Sequence, residues 1–112
     1  MSDWINVAKT EEFLPGQTRL VDIDDIYIAV FNIDGDYFAI ENVCSHDGSA
    51  LVIEGLESTT RVNGDDITCP HHGARFCIKT GVALCPPAYE PVSKFPTKIV
   101  NGMVKVRDNR WD

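Results

Sequence analysis

Apolar positions along this chain come in short runs that are cut by turn residues, with no sustained helical period in any 11-residue window. Residues 5–8 alternate weakly and predict a first strand, after which Pro15-Gly16 turns the chain into a second strand over 18–23. The apolar run 26–31 and the run 37–40 flank Asp34-Gly35, a pair suited to the positive φ that a two-residue hairpin turn needs. Asn63-Gly64 and Asn101-Gly102 predict two more such turns. The last of these joins strands over 98–100 and 103–107, where Met103, Val104 and Val106 suit a mostly buried strand. Prolines at 15, 70, 86, 87, 91 and 96 discourage long helices. The pattern predicts an all-β fold, an antiparallel sandwich or a partly open barrel. With no repeat, low-complexity tract or linker in 112 residues, it also predicts one domain.

Charge narrows the partners. Acidic residues outnumber basic ones 17 to 10, for a formal charge of -7. Such a balance argues against nucleic acid or an anionic membrane surface, since both repel a net anion, and predicts partners with basic docking patches. The longest apolar run is six residues against the roughly 18 that a membrane helix needs. The start, Met1-Ser2-Asp3-Trp4, lacks the basic and apolar regions of a signal peptide, so the expected location is the cytoplasm.

Chemistry concentrates in two short segments, Cys44-Ser45-His46-Asp47-Gly48 and Cys69-Pro70-His71-His72-Gly73. Each follows a predicted strand and runs into glycine, as a tight loop presenting side chains would. All three histidines of the chain lie within three residues of one of its four cysteines. In a cytosolic protein such clustering points to metal ligation rather than to a disulfide framework. The order is Cys-x-His, then residues 47–68, then Cys-x-x-His. Two thiolates and two imidazoles complete either a tetrahedral zinc site or a two-iron cluster in which histidines replace two cysteines on one iron. Zinc fingers usually pair cysteines in one motif and histidines in the other, whereas here each motif carries one of each, which suits a binuclear centre clamped from two sides.

These motifs, with Gly73-Ala74-Arg75-Phe76-Cys77, Thr80-Gly81 and Pro86-Pro87, resemble the Rieske [2Fe–2S] family, and within it the small ferredoxins of bacterial aromatic-ring-hydroxylating dioxygenase systems. The likeness spans about residues 43–87. It implies an antiparallel β-sandwich with a small cluster-binding subdomain and one [2Fe–2S] cluster per chain. Cys44 and Cys69 would hold one iron, and His46 and His72 the solvent-facing iron. Pro86 and Pro87 fall where the family covers its cluster with a proline-bearing loop. The gap between the motifs is longer than the family's usual one, and the extra length is placed at residues 56–62. The implied role is that of a non-enzymatic one-electron carrier and monomer. It would take electrons from a flavin-containing, NAD(P)H-dependent reductase and pass them to a terminal oxygenase. Alternatives are the small subunit of another multicomponent oxidoreductase, such as nitrite reductase, and a zinc-stabilised interaction module.

Differences from the respiratory branch of that family bear on the potential. Its additional loop cysteines, joined by a disulfide, correspond here to Ser49 and His71. Its hydroxyl donors to cluster sulfur correspond to Ala74 and Phe76, neither of which carries a hydroxyl. Hydrogen bonds to the sulfurs favour the more negative reduced state, so their loss predicts a potential toward the low end of the Rieske range, about -150 mV. The anionic chain acts in the same direction. Outside the motifs, Cys77 and Cys85 read as buried free thiols, and His71 as a neighbour of a ligand at the loop tip. Asp22, Asp24, Asp25, Asp34 and Asp36 read as solvated turn residues, and Trp4 and Trp111 as packing the chain ends onto the sandwich.

Overall fold

The computed structural model describes residues 4–45, 48–55, 57, 60–70, 73–86 and 88–109. Those residues form three antiparallel sheets. Strands β1 (Ile5–Lys9), β10 (Thr97–Val100) and β11 (Met103–Val106) make the first, in the order β1-β11-β10. The second runs β2-β3-β4-β9, from Thr18–Ile23, Ile26–Ile33, Asp36–Glu41 and Lys94–Phe95. The third is a meander of short strands: β5 (Arg61–Asn63), β6 (Asp66–Thr68), β7 (Arg75–Cys77) and β8 (Ala83–Cys85).

The second sheet is covered on both faces. Ile28, Val30 and Ala39 point to a core shared with Phe13, Phe95, Val104 and Val106. The alternate residues Ala29, Phe31 and Ile40 point to a second core with Ile67, Phe76, Ile78, Leu51 and Val52. This two-sided burial is why β3 reads as an unbroken apolar run instead of an alternation, and β3 extends two residues past the predicted end to Ile33. The second core is the one that receives the cysteine-bearing loops, because the third sheet packs there.

Turn chemistry sets the register. Asp34-Gly35 and Asn101-Gly102 occupy the two-residue turns predicted for them, with φ of 54° and 95°, and 51° and 76°. Between β2 and β3 the turn is Asp24-Asp25, both left-handed (φ 50° and 69°), a conformation aspartate tolerates better than most residues. The Asn63-Gly64 expectation shifts by one residue. Asn63 pairs with Asp66, so the turn residues are Gly64 and Asp65. Residues 61 and 62, expected in the long inter-motif loop, belong to strand β5 instead, because their partners Thr68 and Ile67 continue the third sheet. The five aspartates are exposed, in keeping with a solvated role. Trp4 is half-buried beneath Lys98, whose Nζ lies 4.2 Å from the ring centre, and Trp111 lies outside the described residues. No helix among the described residues is long and apolar enough to cross a membrane.

Candidate metal centre

Cys44 leaves the end of β4 and Cys69 the end of β6, and the two enter turns of the same construction. The Cys44 N–H donates to the Ser49 carbonyl at 2.7 Å, and the Gly48 N–H donates back to the Cys44 carbonyl at 2.8 Å. In the second loop the Cys69 N–H donates to the Ala74 carbonyl at 2.7 Å and the Gly73 N–H to the Cys69 carbonyl at 3.2 Å. Glycine is required four residues after each cysteine because the chain closes there with φ of 79° and 74°. The rule cysteine, three residues, glycine recurs a third time. Cys77 N–H donates to the Val82 carbonyl at 2.9 Å, and Gly81 N–H, at φ 81°, to the Cys77 carbonyl at 2.7 Å. That third turn is visible in the sequence as Cys77-x-x-x-Gly81, a spacing signal that motif reading by ligands alone passes over.

Cys44 is 0% exposed and Cys69 1%, and both belong to the apolar cluster that also holds Leu51, Ala74, Phe76, Ile78, Ala88 and Val92. The two cysteines are thus brought into one buried site, and no disulfide joins any of the four cysteines. His46 and His72, the other predicted ligands, lie outside the described residues, as do His71 and Pro87. Thiolate is the ligating form of cysteine, and burying two negative charges in an apolar site is costly unless a cation neutralises them. The paired, buried sulfur donors therefore fit an iron–sulfur group. Ala74 and Phe76 are both fully buried in the same cluster.

Asn42 clamps the first loop. Its Nδ2 donates to the Val52 carbonyl at 2.8 Å and its Oδ1 accepts the Val52 N–H at 2.7 Å, so the side chain stands in for a strand partner. Its own N–H donates to the Tyr27 carbonyl at 2.8 Å, which ties the loop to β3. On the third sheet, Phe76 faces the core between Ile67 and Ala83, while Arg75 lies exposed opposite Thr68 and Cys85. Cys77 and Cys85 are half-buried rather than buried, because both sit on short strands of this thin outer sheet. Cys85 Sγ donates to the Gly73 carbonyl at 3.6 Å. The Arg75 guanidinium is held above its ordinary value first by its hydrogen bond to the Cys85 side chain and then by charge attraction to it.

Sequence and structure comparisons agree with this geometry. Residues 3–96 match the Rieske [2Fe-2S] domain. The 3-phenylpropionate/cinnamic acid dioxygenase ferredoxin subunit of Photorhabdus laumondii is 39% identical over 101 residues, covering 89% of this chain and 90% of that one. The ferredoxin of carbazole 1,9a-dioxygenase from Nocardioides aromaticivorans superimposes with a TM-score of 0.80 at 25% identity, over 92% of this chain and 95% of that one. A solved complex of reduced oxygenase and oxidised ferredoxin in carbazole 1,9a-dioxygenase contains a chain that matches with a TM-score of 0.81 at 29% identity, over 92% of this chain and 91% of that one. With the match running through both cysteine loops and the whole of the second and third sheets, this chain belongs to the Rieske [2Fe–2S] domain family.

Proposed function

We propose that this protein is the ferredoxin of an aromatic-ring dioxygenase system, carrying single electrons from a flavin-containing NAD(P)H-dependent reductase to a terminal oxygenase. The observation that carries the reading is the pair of like-built turns that deliver Cys44 and Cys69 into one buried cluster, on a fold shared with dioxygenase ferredoxins. In this reading Cys44 and Cys69 hold the buried iron, and His46 and His72 the iron nearer solvent. When bound, the [2Fe–2S] cluster supplies one-electron storage. The chain's own contribution is to exclude water around the two sulfurs, to fix both loops by main-chain hydrogen bonds, and to withhold hydroxyls at Ala74 and Phe76. The last feature favours a low potential, suited to driving electrons toward an oxygen-activating iron.

The protein acts as a cytoplasmic monomer whose anionic surface seeks basic patches on both partners. The test is transfer in a defined mixture. The reduced protein, mixed with an oxidised terminal oxygenase and its aromatic substrate, is expected to be reoxidised with matching product formation. Reoxidation that requires a nitrite reductase catalytic subunit, with none by the oxygenase, would replace this reading with the small-subunit alternative.

A further inference from the structure

Residues 88–93 form a strap packed on the core that holds Cys44 and Cys69. Its two inward side chains, Ala88 and Val92, are 3% and 6% exposed in the same cluster as Cys44 and Cys69, whereas Tyr89 between them is 80% exposed. Main-chain ties are chemically scarce here, because prolines 86, 87 and 91 have no N–H to give. Two main-chain bonds hold its far end: Val92 N–H donates to the Gly81 carbonyl at 2.8 Å, and the Ser93 carbonyl accepts the Glu41 N–H at 2.8 Å. Gly81 permits that approach only because it has no side chain. A Cβ there would stand 2.2 Å from the Val92 carbonyl oxygen.

The middle of the strap is tied differently. Ser45, the residue between the two predicted ligands of the first loop, donates its hydroxyl to the Glu90 carbonyl at 2.5 Å across 45 residues of sequence. We propose that Ser45 is a positioning residue whose hydroxyl latches the strap to the first ligand loop and thereby limits water access to the cluster. The proposal rests on the cluster assignment above. The oxidised cluster with two thiolates and two neutral imidazoles is uncharged, and one electron makes it an anion. Water admitted beneath a loosened strap therefore stabilises the reduced state and raises the potential.

The experiment compares Ser45→Ala and Ser45→Thr with the wild-type holoprotein in two readouts. The first is hydrogen exchange of the strap amides, including that of Val92. The second is the midpoint potential. Loss of one hydrogen bond of about 1 kcal/mol predicts roughly fivefold faster strap exchange in Ser45→Ala. A midpoint above wild type is expected alongside it, and Ser45→Thr should restore both. Unchanged exchange in Ser45→Ala would show that the latch carries no load. Faster exchange at an unchanged midpoint would show that the strap does not shield the cluster. Both results overturn the proposal. Failure of the underlying assignment is distinguishable, since wild-type protein itself would then lack stoichiometric iron and sulfide. If Ser45→Ala does not fold, Ser45→Gly, which also lacks the hydroxyl, is read in the same two assays, and wild-type exchange or an unchanged midpoint there overturns the proposal.

Discussion

Restoring hydroxyls at the two positions that lack them tests how this chain sets its potential. Ala74 and Phe76 are both 0% exposed and line the cluster that contains Cys44 and Cys69. In the double variant Ala74→Ser with Phe76→Tyr, each new O–H can donate to a cluster or thiolate sulfur. If each bond favours the reduced state over the oxidised one by about 1 kcal/mol, the pair contributes about 2 kcal/mol. For a one-electron couple about 59 mV corresponds to a tenfold change, or about 1.4 kcal/mol, so the midpoint should rise by about 90 mV. The same substitutions carry an internal control. Without the cluster, the hydroxyls lose its sulfides as acceptors, and each one left unsatisfied costs roughly 1–3 kcal/mol. Apoprotein stability should therefore fall more than holoprotein stability. Midpoints come from a spectroscopic redox titration of wild type and variant, and the stability difference from denaturant melts of both forms. An unchanged or lowered midpoint in a variant with full cluster content would refute the placement of these two side chains against the cluster.

Further expectations follow from single contacts. Gly81→Ala should destabilise the protein by about 2–4 kcal/mol, adding overpacking against the Val92 carbonyl to the cost of positive φ. Gly64→Ala, where the space around a Cβ is open, should cost only about 1–2 kcal/mol, and equal losses in urea melts would contradict the steric argument. Asn42→Ala removes both bonds to Val52 and should cost about 2 kcal/mol while lowering cluster retention, read as visible absorbance surviving dilution; a wild-type melt would remove Asn42 from the account. With a formal charge of -7, electron delivery to a basic partner should slow at least about tenfold from low to high salt in stopped-flow mixing, and a salt-independent rate would reject electrostatic docking.

Much of the fold is legible locally. Strand β2 is observed at its predicted bounds, and the Asp34-Gly35 and Asn101-Gly102 turns hold because only residues tolerant of positive φ can close them. What escapes local reading is tertiary. The one-residue shift at Asn63 is decided by pairing Val62 with Ile67 and Arg61 with Thr68, not by the dipeptide. That β3 serves two cores at once is implied by its unbroken apolar run, but the identity of the second core depends on the third sheet folding over it. At the site, Cys44 and Cys69 stand out in sequence through their ligand spacing, and the structure brings both into one buried cluster. Ser45 and Gly81 stand inside motifs that the sequence shows, but their tertiary contacts do not stand out there. Their importance lies in contacts with Glu90 and Val92, segments remote in sequence whose approach no spacing rule announces.

The central claim is a two-iron cluster held by Cys44, His46, Cys69 and His72. It is tested most directly by electron–nuclear double resonance on the reduced protein. Nitrogen couplings from two coordinated imidazoles are expected, with one lost in His72→Ser and both retained in His71→Ala. A reduced protein without nitrogen couplings, or a colourless one carrying stoichiometric zinc, would contradict the assignment.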